Sequence, residues 1–451
     1  MSYTSESGDI RIALTGEAMI TRGLMAYNEE PFLALRTLLH ASDVRFANSE
    51  MLFHNFENWP TYLSQTYMRC DPRFIADLQW LGINLVSCAN NHGYDYGENG
   101  VLTNLGNLGA AGLVSAGSGP NYAAAMAPAY LETPSGRVGL VSATSSGRPN
   151  SRAGEQRRDM LGRPGVNLVR WINEWGVDAA AFAELRRIAE RFDWRQRQPA
   201  WFVDGYGLGD VTDETLYFAD RNTLGVGSED QAARFVRDDA FNRHSRAFRP
   251  DVERNLASVR EARRMADWVM FSVHNHEGGR SVDEPSEHIQ ALAHAVIDAG
   301  ADVVIGHGPH RDRGIEIYQG KPIVYSLGNF IMQNDQVALM PQDSMLLWGL
   351  GHEHSAADLF DVRAASRHEN SSEPGPGWWS AVVEVVFSAR RLVEIRLHPI
   401  EFGWGLPRPQ TGRPMLAHGA IAERAVARFR ELSAPFGTDV QAEGEIGVIR
   451  L

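Results

Sequence analysis

Short apolar runs rich in β-branched residues alternate with helical patterns through the first third of the chain, and no other feature narrows the fold as much. Ile10 to Leu14, Val44 to Ala47 and Leu85 to Ser87 read as strands, whereas Pro31 to His40, Pro72 to Leu81 and Glu98 to Ala111 carry helical spacing. A helix between two strands carries the chain back across the sheet, so such strands pair in parallel. The alternation predicts an α/β fold with a parallel or mixed sheet covered by helices. Ala127 to Glu132 and Arg137 to Ser142, joined by Thr133-Pro134-Ser135-Gly136, read as a hairpin that closes this half.

From Ser145 to Arg249 the texture shifts to arginine, aspartate, glycine and tryptophan, with one amphipathic helix over Asp178 to Phe192. This stretch reads as an insertion, either a packing module or a substrate cap. The α/β pattern then resumes with a helix near Val252 to Met265, a strand from Trp268 to Val273 and a helix from Pro285 to Ala299 stopped by Gly300. Val303 to Ile305 and Pro322 to Tyr325 read as strands. A second excursion, Gln333 to Gly377, precedes strands at Ala381 to Phe387 and Leu392 to His398. The expected divisions are 1–144 and 250–332 as two halves of one core, 145–249 and 333–377 as a cap and a lid, and 378–451 completing the core.

Composition excludes several classes. The formal charge of -13, with no basic tract, argues against nucleic acid as a partner. Local arginine clusters, Arg152 to Arg163 and Arg186 to Arg197, still suit an anionic small substrate. Cys70 and Cys88 are the only cysteines, and reduced buried thiols are expected of them. No run approaches membrane-spanning length and Met1 to Asp9 lacks the pattern of a leader, so the expectation is a cytoplasmic protein without a membrane partner. Oligomeric state is left open.

Each strong strand is followed within a few residues by a group able to bind metal or move a proton. Glu17 follows the first, Ser49-Glu50 the second and Asn90-Asn91-His92 the third; His274-Asn275-His276-Glu277 and His307 with His310 follow two later ones. Ligands of open α/β sheets bind at the carboxyl ends of strands, where these five segments would meet. The set is imidazole, carboxylate and amide oxygen without thiolate, which suits Mn, Fe, Zn or Co. Glu50, in the middle of the array, is placed to bridge if there are two ions. Seven tryptophans, Trp171, Trp175, Trp194, Trp201, Trp348, Trp378 and Trp379, lie in or beside the two excursions, and aromatic walls would suit a peptide or aromatic ligand.

The segments Thr15-Gly16-Glu17-Ala18-Met19, Asn48-Ser49-Glu50, Ala89-Asn90-Asn91-His92 with Asp95-Tyr96-Gly97, Gly306-His307-Gly308-Pro309-His310 and Tyr325-Ser326-Leu327-Gly328-Asn329-Phe330 resemble the CapA family of poly-gamma-glutamate biosynthesis proteins. That family belongs to the calcineurin-like metallophosphatase superfamily. The resemblance implies a four-layer α/β/β/α sandwich with one or two divalent ions, Mn, Zn or Fe, at the strand ends. It also implies Asn91, His274, His307 and His310 as ligands, beside the strand-end carboxylates Glu17 and Glu50, with His92 as the proton donor to a leaving group. Two departures stand out. Gly16-Glu17 replaces the usual Gly-Asp, and Met19 stands where the superfamily has histidine, so one of two metal positions would be weaker, displaced or empty. The fourth motif, usually His-Trp-Gly-x-Glu, here reads His274-Asn275-His276-Glu277-Gly278, which adds His276 and Glu277 as further candidate groups.

Three functions are compatible with these parts. The first is hydrolysis of a phosphoester or amide bond in a small-molecule or peptide substrate, with the metal activating water and His92, oriented by Asp95, protonating the leaving group. A second is peptide epimerisation, to which the family resemblance extends and in which Glu17 would act as acid and base. The third is a non-catalytic binding protein that has lost one ion.

Overall fold

The strand Ile10–Met19 sits inside a ten-stranded sheet, parallel to Val44–Asn48, which is in turn parallel to Leu85–Ser87. The computed structural model describes residues 8–62, 66–192, 214–218, 233–366 and 374–451. A six-stranded sheet contains Gly136–Thr144, Trp268–His274, Val303–His307 and Lys321–Leu327, all parallel in that neighbourhood, with antiparallel strands at both edges. The protein is a mixed α/β fold.

Strand periodicity explains how the core divides. Ile10, Ile12 and Leu14 share one buried cluster with Val138, Leu140, Met270 and Ile305 of the other sheet. Their alternates turn the other way. Ala13, Ala47 and Val86 join Phe32, Leu35, Leu39, Leu78 and Leu108 from the helices Glu30–His40, Ile75–Leu81 and Gly97–Ala110. On the smaller sheet, Val269, Phe271 and Val273 meet Val259, Ile289, Leu292 and Val296 from Arg249–Met265 and Glu287–Asp298. Each such side chain contributes about 1.5–3 kcal/mol through burial, so both sheets are held on both faces.

Most expected elements are present, with several strands longer than expected, such as Ile10–Met19 and Arg391–Glu401, and helices such as Glu287–Asp298 shorter. The hairpin behaves differently from expectation: Gly136–Thr144 pairs with Trp268–His274, so Ala129–Thr144 begins the second sheet and does not close the first. The strands Asp312–Tyr318 and Asn329–Met332 were not foreseen, and the latter lies parallel to Ile10–Met19. The first excursion carries the expected helix, Ala179–Arg191, capped by Asp178 Oδ1 accepting from Ala181 N at 2.8 Å. It also forms a four-stranded sheet. Its strand Trp171–Val177 docks on the core, with Trp171 stacked on His288 at 4.7 Å and Trp171 Nε1 donating to Ser145 O at 3.1 Å.

Cys70 and Cys88 are buried free thiols, and burial pushes both pKa values up. No described helix is long and apolar enough to cross a membrane.

Candidate functional site

Parallel register brings the candidate residues together. On the larger sheet Glu17 is level with Asn48, and Asn48 with Ser87; on the smaller, Thr144, His274 and His307 stand side by side. The first strand can approach because residue 16 is glycine. A Cβ there would lie 2.0 Å from the carbonyl oxygen of Gly328, the residue whose oxygen accepts Glu17 N at 2.9 Å. Gly308, at φ 128°, turns the chain against Asn275 so that His310 follows, itself in the left-handed region at φ 56°.

His274 stands at the centre. Its Nδ1 lies 3.4 Å from Glu17 Oε1, 3.3 Å from His307 Nδ1 and 3.2 Å from Asn48 Nδ2. Its Nε2 lies 3.9 Å from Glu50 Oε1. The same Glu50 oxygen is 3.8 Å from His310 Nε2 and 4.0 Å from His92 Nε2. Among the described residues, two groups therefore have donor atoms close enough for a cation: Glu17, His274 and His307, and Glu50, His274 and His276.

Neighbours fix these side chains. Asn48 Nδ2 donates to Glu17 Oε2, Asn90 Nδ2 donates to Asn48 Oδ1 at 3.3 Å, and His92 N donates to Asn90 Oδ1 at 3.1 Å. His92 Nδ1 is 2.6 Å from Asp95 Oδ2, which also accepts Met68 N at 2.8 Å. His307 Nε2 is 2.7 Å from Ser272 Oγ. Asn329 Oδ1 is 3.0 Å from His310 Nδ1, and its Nδ2 donates to Gly377 O at 2.9 Å. Asn48 and Asn329 stood in recognised motifs without an assigned role. Ser272 gave no signal, being one polar residue inside an apolar strand.

The donor set fits a divalent ion. Glu17 Oε1, both oxygens of Glu50, Asn91 Oδ1 and His274 Nε2 are buried with no hydrogen-bond partner, a state costing on the order of 1–3 kcal/mol each unless something else engages them. Burial, with Glu17 and Asp95 adding repulsion, pushes the Glu50 carboxyl well above its usual range. Burial, with His310 and His92 nearby, holds His274 far below the usual imidazole value, and burial takes His307 down to about 3. Neutral imidazole is the form that binds metal, and a cation would relieve Glu50.

The remaining candidates divide between the rim of this centre and other parts of the fold. Glu277 turns from this centre to Ser145 Oγ at 2.6 Å and Ser146 Oγ at 2.7 Å, a structural tie between the strand-end loop and the edge of the first excursion. His276 is solvent-exposed, its ring 5.0 Å from that of His274. Of the tryptophans, Trp171 is engaged by His288, Trp348 and Trp378 pack against a core cluster, Trp175 is exposed, and Trp379 is buried. Trp194 and Trp201 lie outside the described residues.

A family model described as bacterial capsule synthesis protein matches residues 11–334. The uncharacterized protein y4uA of Sinorhizobium fredii is 32% identical, covering 97% of this chain and 92% of the relative. PGA biosynthesis protein CapA of Bacillus subtilis is 36% identical over 124 residues, 28% of this chain and 31% of the relative. A "Probable polyglutamine synthesis accessory protein" of Mycobacterium tuberculosis is 29% identical over 266 residues, 58% of this chain and 49% of the relative. The family description and the last two names speak of capsule, PGA and polyglutamine synthesis and lend no support to epimerisation.

Proposed function

The chain belongs to the bacterial capsule synthesis protein family, and from that premise we propose that it is a metal-dependent hydrolase cleaving an amide or phosphoester bond in a small or peptidic substrate. One observation carries the reading. One buried, unpartnered oxygen of Glu50, Oε1, faces the Nε2 atoms of His274, His310 and His92, and His92 is backed by Asp95.

Glu50, Asn91, His274 and His310 would hold the ion, which supplies Lewis acidity toward water and the substrate oxygen. Asp95 takes the Nδ1 side of His92 and leaves Nε2 to hold and deliver the proton to the leaving group. The backbone bond from His92 N to Asn90 Oδ1 keeps that imidazole at the strand end. The layered sandwich of the metallophosphatase superfamily is part of the proposal. Its support is one buried cluster between the sheets and one beneath the helices on each outer face.

Because the relatives' names speak of PGA and polyglutamine, a peptidic amide is the first substrate to try. Metal-free protein would be loaded separately with Mn, Zn and Fe and assayed on γ-glutamyl peptides and aryl phosphodiesters. Turnover with at least one ion, abolished by chelator, is expected. Failure of every ion with both substrate classes would overturn the proposal.

A further inference from the structure

We propose that the site holds one ion, on the Glu50 side of His274, and that Glu17 is a positioning residue accepting the His274 Nδ1 proton and not a ligand. The inference rests on the metal-dependent reading above and deepens it. A neutral imidazole, the form that ligates a metal, has one lone pair and one N–H. His274 can therefore ligate on one side only.

The two sides differ in what they lack. Toward Nε2, both Glu50 oxygens and Nε2 itself have no hydrogen-bond partner. Toward Nδ1, Glu17 Oε2 is already engaged by Asn48 and His307 Nε2 by Ser272. The one unpartnered atom there, Glu17 Oε1, is 3.4 Å from His274 Nδ1, and a proton on that nitrogen satisfies it. Two other atoms share this nitrogen: Asn48 Nδ2 lies 3.2 Å and His307 Nδ1 3.3 Å from it. With an ion on Nε2, however, Nδ1 is the only place left for the ring proton. Carboxylate, imidazole and ion then line up in the arrangement that orients metal-bound histidines. An ion on the Glu17 side would instead take Nδ1 and turn an N–H toward Glu50. Nor can Met19 complete a second site, because it is packed in the hydrophobic core.

The test is to titrate the metal-free full-length chain with Mn(II), counting bound ions by elemental analysis and recording the electron paramagnetic resonance spectrum. One ion per chain with an uncoupled six-line signal is expected. Glu17→Gln keeps an acceptor oxygen and should still bind one ion, about 10–100-fold more weakly. His307→Gln should also keep one, and circular dichroism checks that both variants are folded. Two ions per chain with exchange coupling, or no ion in folded Glu17→Gln, would overturn the assignment. No ion in the wild type overturns this inference together with the proposed function. One ion without hydrolysis of any tested substrate overturns the function alone and leaves the inference standing.

Discussion

The two sides of His274 handle buried carboxylates in opposite ways. Glu17 is sealed from solvent, with one oxygen taken by Asn48 Nδ2 and the other 3.4 Å from His274 Nδ1. Glu50 is equally buried but is approached by His92 and His310, whose side chains are 14% and 31% exposed, and neither of its oxygens has a hydrogen-bond partner. A fold that gives one acid a donor from within and the next none has left the second with more to gain from something outside.

Substitutions can break that contrast. The largest effect is expected on the open side: Glu50→Gln or His274→Ala should lower metal affinity by more than the roughly 100-fold that outer partners cost. Calorimetric titration checks this, and wild-type affinity in both would erase the distinction. His92→Asn should keep the ion and lose about 10²–10⁴-fold in turnover, because its role is proton transfer. Equal loss of metal would make His92 a ligand. On the sealed side the cost should appear in folding. Asn48→Ala removes the donor to Glu17 and should destabilise the chain by about 1–3 kcal/mol in denaturant unfolding; an unchanged midpoint would mean that Glu17 does not need it.

A smaller effect serves as a control remote from both sides. Burial, with Arg313 as a lesser cause, pushes His288 down to about 3, and the ring lies between Trp171 and Ser245. An unfolded imidazole titrates near about 6.5, so between these values the unfolded chain binds more protons. Stability from this group is full above about pH 6.5 and falls as pH drops toward about 3, by at most about 1.4 kcal/mol per unit. His288→Gln should flatten that slope, read by tryptophan fluorescence during unfolding. Identical slopes would remove His288 from the account.

Much of the site could be read before the fold was known. Parallel strands of similar length end at one edge, so the residues after each apolar run become neighbours, as His274 and His307 do. Which nitrogen faces which acid could not be read, because that depends on rotamers set by partners such as Ser272 and Asn48. Glu277 misled by position: the serines that capture it come from a segment about 130 residues earlier in the chain. The inserted sheet was hidden for another reason. Asn242–Ala247 reads Asn-Arg-His-Ser-Arg-Ala, a strand recruited by pairing and by ion pairs such as Arg246 with Glu174, with no apolar alternation to announce it.

The bond from Asn329 to Gly377 O stores one bit of information at the site. A carbonyl only accepts, so it decides which end of the Asn329 amide turns toward it, and the amide oxygen is left facing His310 Nδ1. An amide oxygen carries no hydrogen, which assigns the ring proton to Nδ1 and leaves the Nε2 lone pair facing Glu50. The last residue of the 333–377 excursion thus writes the protonation pattern of a histidine it never touches through its own side chain, having none. Withdrawing Gly377 would let the amide invert and the bit be lost, with every residue around the ion still in place.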